Sequence, residues 1–219
     1  MPRRRRLVAG LALLIVLSVP VAAARAAQPV DERALAALLA PSPNVEGIRA
    51  LGPGVLPVLA ALYDRSDESR RTQIASTFYA LGWKSEDAKR VLMRDVRTAS
   101  TDLRLQVQWA LGRVSNDPDV VETLVGNMRN DDNPLFRDKA ACALANDQIH
   151  LTEDQKLRLY ERLVDALRDD KLQVRQIALQ ALQIQTGQTK NFDPAGTPPA
   201  REAAILEWMR WLEAYRSHL

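Results

Sequence analysis

Apolar positions along this chain recur at helical spacing, three or four residues apart, over nearly its whole length. Leu35, Leu38 and Leu39 share one side of a short segment, 31–39, that Pro41 and Pro43 end. A further turn or two of helix fits 44–50, before Gly52-Pro53-Gly54 breaks the chain. Leu56, Leu59, Leu62 and Tyr63 predict a helix over 55–63, and a partner runs from about 68 to 81 with Gly82 behind it. Ser85, followed by Glu86 and Asp87, opens the next helix, whose buried stripe is Val91, Leu92 and Val96. Its partner covers about 102–114. Asn116-Asp117-Pro118 starts a helix carrying Val120, Val121, Leu124, Val125 and Met128, and 134–145 is the partner of that one. Thr152-Glu153-Asp154-Gln155 reads as a capping box for a helix with Leu157, Tyr160, Leu163, Val164 and Leu167. One more reaches about 185, and a last helix begins near 199. The predicted fold is all-α, built of helical hairpins.

The second helices repeat. Arg175 is followed by Ala178, Ala181 and Leu182; Arg137 by Ala140, Ala143 and Leu144; Arg104 by Val107, Ala110 and Leu111; Arg71, more loosely, by Ile74, Thr77 and Phe78. The four arginines lie 33, 33 and 38 residues apart, and a longer connection at 146–151 is the expected source of the wider step. Small residues on the stripe let a second helix approach closely, and a lone hairpin cannot bury its own apolar face, so neighbours must stack. Asp67, Asp102 and Asp170 stand where helix N-termini begin, and Asn133-Pro134 takes that place in the third copy. The arginines are spaced to bond acidic turn residues of the next unit, as a ladder.

On the run Asp170-x-x-x-Val174-Arg175-x-x-Ala178-x-x-Ala181-Leu182, and on its copies ending at Leu144, Leu111 and Phe78, the chain resembles HEAT-repeat proteins of the short bacterial kind. The resemblance covers about 44–187. It implies a right-handed α-solenoid of about four hairpins, preceded by a short cap, that serves as a protein-binding scaffold. The helix after 188, with Ile205, Leu206, Trp208, Met209, Trp211 and Leu212, is expected to cap the last repeat; a ligand-binding pair of Trp208 and Trp211 is the alternative.

The N-terminus changes the charge picture. Arg3–Arg6 precede an apolar run, 7–19, too short for a comfortable membrane span, and Ala24-Arg25-Ala26 offers a small-residue cleavage site. Residues 1–26 therefore read as an export signal, with 27–187 the repeat domain and 188–219 the closing loop and helix. A retained signal would instead act as a membrane anchor. The expected location is the periplasm or the outside of the cell. The chain has 30 Lys and Arg against 27 Asp and Glu, but five of the arginines lie before residue 27. The remaining chain is slightly acidic, which argues against bulk electrostatic binding of nucleic acid.

One cysteine and two histidines exclude an internal disulfide and leave no cysteine/histidine zinc pattern, and no cofactor motif is present. Asn130-Asp131-Asp132-Asn133 lacks the glycine and ligand alternation of a calcium loop and reads as helix caps. His150, alone in a connection, reads as solvated. At about 100° per residue, the face opposite the buried stripe falls one, five and eight positions after each arginine. Those positions are Thr72, Ser76 and Tyr79; Leu105, Trp109 and Gly112; Asp138, Cys142 and Ala145; and Gln176, Gln180 and Gln183. Tyr79, Leu105 and Trp109 form an apolar-aromatic patch that grades into the glutamines. A peptide or protein partner along this face is the primary functional expectation, with burial of Trp109 between neighbouring helices the structural alternative. Cys142 has Lys139 one turn before it, but a half-buried packing role is the simpler reading. HEAT-like repeats also occur in phycobilin lyases, so the resemblance leaves a lyase-like or accessory enzyme as the second functional class. No catalytic constellation supports it.

Overall fold

The computed structural model describes residues 30–219, and their regular structure is entirely helical. The expected export signal lies outside the described residues. The helices are α1 (Glu32–Leu38), α2 (Val45–Ala50), α3 (Val55–Asp64), α4 (Glu68–Leu81), α5 (Glu86–Asp95), α6 (Thr101–Val114), α7 (Pro118–Asn130), α8 (Pro134–Asn146), α9 (Glu153–Ala166), α10 (Leu172–Thr186) and α11 (Pro198–Arg216). Among the described residues no helix is long and apolar enough to cross a membrane.

The ends form where local chemistry places them. Asp67 Oδ1 accepts from the Arg70 N–H at the start of α4, and Gly82 ends that helix at φ 65°, a conformation glycine adopts without strain. Ser85 caps α5, and Asn133 caps α8 with Pro134 at the first helical position. Thr152 and Gln155 make both bonds of a capping box on α9. Two expected caps differ. Asp102 lies inside α6, whose cap residue is Ser100, and Lys171 rather than Asp170 precedes α10. In the latter turn Asp169 Oδ1 accepts from the Lys171 N–H, so the turn is closed one residue earlier than the repeat suggests.

The helices pack as two rows. The second helices follow one another, α2 on α4, α4 on α6, α6 on α8 and α8 on α10, while α3 packs on α5, α7 on α9, and α9 on α11. Hairpin partners close the space between the rows. The buried stripe is as the spacing predicts: Ile74, Phe78, Val107, Ala110, Leu111, Ala140, Ala143, Leu144, Ala178, Ala181 and Leu182 are all in the core. Alanines at the contact let the second helices approach closely, and each large side chain removed from water there contributes about 1.5–3 kcal/mol.

The first-helix row is laced by ion pairs between successive units instead. Asp64 receives Arg90 and Arg94, Arg129 spans Asp165 and Asp169, Arg162 meets Glu122, and Arg168 meets Glu202. Such exposed pairs are each worth under about 1 kcal/mol, so they set register more than they add stability.

Two of the four repeat arginines make the expected ladder, Arg71 to Asp95 and Arg104 to Asp131. The other two do not reach a carboxylate. Arg137 bonds the Gln173 amide and the Asp131 and Asp132 carbonyls, and Arg175 bonds the carbonyls of Asp169, Asp170 and Pro194. Through Pro194, Arg175 ties the loop after α10, in which Phe192 is buried, back to the first turn of that helix. In α11, Trp208 is fully buried and Trp211 stacks 5.6 Å from Tyr160 of α9, so these indoles serve packing.

The wider spacing between the third and fourth arginines has two sources. Residues 147–152 connect α8 to α9, where 115–117 connect α6 to α7, and 167–171 connect α9 to α10, where 131–133 connect α7 to α8. The first of these longer connections builds the site.

Candidate functional site

The face opposite the stripe carries a cavity of about 430 Å³ lined by Ser76 and Tyr79 of α4, Gln106 and Trp109 of α6, and Cys142, Asn146 and Asp147 at the end of α8. Stacking of the second helices brings the expected Tyr79 and Trp109 to one wall, although they are 30 positions apart in sequence. Both are half-buried and pack on the core with one side while facing the cavity with the other. Trp109 is thus neither sealed between helices nor free in solvent.

Residues 147–150 run back across the C-terminal ends of α4 and α6 as a strap. His150 Nε2 lies 3.0 Å from the Gly82 carbonyl oxygen and 2.9 Å from that of Arg113. Two acceptors on one ring nitrogen require that this nitrogen carry the proton and donate to both. The histidine is therefore a tie between units rather than a solvated loop residue: it supplies a donor to carbonyls that a helix end leaves without one. Asp147, almost wholly buried, accepts from Arg113 Nε at 3.0 Å, and the Arg113 guanidinium lies 4.2 Å from the Tyr79 ring centre. Burial pushes the Asp147 carboxyl up from its ordinary value; Arg113 and the Tyr79 hydroxyl pull the other way and do not cancel it.

The strap also explains Gly112, which the periodicity places on the open face and which is buried. A β-carbon there would meet the Asp147 carbonyl oxygen at 2.8 Å. Ala145, at the same position of the next helix, is buried as well, and the crevice between α8 and α10 runs past it. Gln180 lines that crevice with Asp138, Cys142, Ile177 and Ile184, so Cys142 borders both depressions. Gln176 and Gln183 are exposed and line neither, and Leu105 is half-buried outside the cavity. The cavity residues that periodicity missed are Gln106, Asn146 and Asp147. Asn146 and Asp147 follow the last turn of the repeat, and their signal was the longer connection itself.

The chain matches no protein-family model and no curated protein.

The face itself defines what can happen on it. Burial, and then the Asp138 charge, push the Cys142 thiol up, outweighing Lys139, which pairs with Asp138; a thiol held protonated is a poor nucleophile. Of the twelve side chains at the three face positions, only Asp138 is charged. The side-chain amides of Gln176, Gln180 and Gln183 have no hydrogen-bond partner among the described residues, each offering both donors and an acceptor. An aromatic-walled hollow next to free amides suits an apolar side chain beside a stretch of peptide backbone.

Proposed function

We propose that this chain is a non-catalytic, exported scaffold: a HEAT-like α-solenoid of about four hairpins whose second-helix face docks an extended peptide or protein segment in the cell envelope. The cavity between Tyr79 and Trp109 carries this reading, because it offers a half-buried aromatic wall that binding of one large side chain would remove from water. The glutamines of α10 continue the face and are matched to peptide groups rather than to charges. With Asp138 the only charge at the face positions and Asp147 in the cavity already paired with Arg113, affinity rests on burial and amide bonding and changes little with salt. The two rows of helices and the arginine-anchored stripe support the solenoid. The export reading rests on residues 1–26 of the sequence alone.

The test is selection of binders from a random peptide display library, followed by affinity measurements on Trp109→Ala and Gln180→Ala. Circular dichroism first establishes that both variants are folded. Trp109→Ala is expected to weaken the selected peptides by about 2 kcal/mol, roughly thirtyfold. Gln180→Ala is expected to weaken them less. Peptides whose affinities are the same for wild type and both variants would take the docking site off this face.

A further inference from the structure

A third depression lies away from the docking face, where the turn after α7 meets the start of α6. It measures about 260 Å³ and is lined by Arg97, Arg104, Asn127, Asn130, Asp131 and Asp132. Its chemistry is polar, and it is incompletely paired inside the protein.

Asn127 is 1% exposed, and neither its Oδ1 nor its Nδ2 has a hydrogen-bond partner among the described residues. Packing did not demand an amide here. Four residues before the ladder carboxylate, α5 has the buried Val91 ahead of Asp95, whereas α7 has Asn127 ahead of Asp131. A buried amide without a partner costs stability and calls for an explanation. Arg104 is 9% exposed; Nη2 pairs with Asp131, the guanidinium plane lies 4.0 Å from the Phe136 ring centre, and Nε has no partner. Arg97 on the rim makes no ion pair among the described residues, and Asp132 on the same rim is exposed.

The open groups are mostly donors. Asp131 is already used, with Oδ2 on Arg104 and Oδ1 on the Asn133 N–H. What is left without a partner at the cleft is the buried Arg104 Nε–H, the Asn127 and Asn130 amides and the Arg97 guanidinium, against two amide oxygens and the rim carboxylate of Asp132. Burial first, and then the nearby charge of Arg97, make the positive charge on Arg104 harder to hold. An anion placed between Arg97 and Arg104 favours the charged form of both.

We propose that this cleft binds a small oxyanion, a carboxylate or a phosphate, which accepts from Arg104 Nε, Arg97 and Asn127 Nδ2. The Arg97 contact is charge-assisted and sets the affinity; Asn127 selects for an oxygen acceptor close to the core. The site is independent of the docking face, and Trp109→Ala leaves it intact.

The test is titration of the protein with inorganic phosphate and, separately, with acetate, against chloride at matched ionic strength. It is followed through the Arg Nε–H and Asn side-chain resonances and through the unfolding temperature. Wild type is expected to saturate with phosphate or acetate and to unfold at a higher temperature when bound. Whichever of the two saturates identifies the chemistry of the ligand. Arg97→Ala, at the rim, is expected to weaken binding by roughly tenfold or more. Asn127→Val, which installs the residue α5 uses, is expected to fold and to weaken binding measurably, by less than Arg97→Ala does. Linear shifts that chloride reproduces, or saturation equal in wild type and both variants, would mean solvent alone occupies the cleft and would overturn the proposal.

Discussion

Gly112→Ala tests how closely the strap is pressed on α6. A β-carbon at 112 would lie 2.6 Å from Gln148 Nε2, 2.8 Å from the Asp147 carbonyl oxygen and 2.9 Å from that carbonyl carbon. The Gln148 amide can rotate away. The Asp147 backbone cannot, because Arg113 holds its side chain and His150 pins the next turn of chain to the Gly82 and Arg113 carbonyls. Gly126 in α7 is the internal control, since nothing lies within 4 Å of its added β-carbon. Both substitutions gain the same helix preference, roughly 0.5–1 kcal/mol. Only Gly112→Ala incurs overpacking, about 1–3 kcal/mol, so the difference between the two variants isolates the close approach. In a domain of this size each kcal/mol moves the midpoint by about 2–4 °C, which predicts a separation of roughly 2–12 °C in thermal unfolding followed by circular dichroism. Gly126→Ala should melt above wild type. If Gly112→Ala melts as high as Gly126→Ala, the strap is not held against α6 and Asp147 does not form the cavity floor.

Three further outcomes follow from the same elements. His150→Ala removes the donor shared by two carbonyls and should cost about 1–3 kcal/mol in chemical denaturation; a cost near zero would return His150 to the role of a solvated loop residue. Thr152→Ala breaks one arm of the capping box on α9 and should cost about 1 kcal/mol, while Glu153→Gln, outside the box bonds, should cost less. Asp147 is held above its ordinary value in the folded chain, so the folded state binds this proton more tightly than the unfolded one. Its stabilising contribution is full below the unfolded value and is lost as pH rises through the folded value. Across that window the stability of wild type relative to Asp147→Asn should therefore fall, and a difference that stays flat with pH would refute the burial assigned to this carboxyl.

Much of the frame could be read from spacing because helix packing reports itself locally. Arg104, Val107, Ala110 and Leu111 show their shared face within two turns, and Gly82, Ser85, Asn133 and Thr152 show their caps within four residues. Capping chemistry is less binding where several polar residues compete. In Asp169-Asp170-Lys171 any of three could precede α10, and the hydrogen bond from the Lys171 N–H to Asp169 decided it. The arginine ladder was half legible for a related reason. The donor is fixed by the helix, but its acceptor lies in a turn, where Gln173 and the carbonyls of Asp169, Asp170 and Pro194 serve as well as a carboxylate.

The candidate site was legible only on its regular side. Tyr79 and Trp109 sit eight and five positions after their arginines, so period and angle place them on one face, and stacking of α4 on α6 makes them neighbours. The floor of the cavity comes from Asn146 and Asp147, which no period predicts, and it is held by His150 reaching back across two units to Gly82. The same strap buries Gly112, a position the period would open to solvent. In a row of similar hairpins every regular position looks much like its counterpart one unit away, so a distinct hollow forms where a connection departs from the pattern and folds back over the row. The extra residues between α8 and α9 are therefore the feature to alter. Replacing 147–152 by a connection as short as 115–117 should leave the helices stacked, because α6, α8 and α10 keep their buried stripes, while removing the floor beneath Tyr79 and Trp109. Retained helical content with lost peptide affinity is the expected result. Affinity that survives the shortening would mean that the regular face alone binds and that the strap serves stability only.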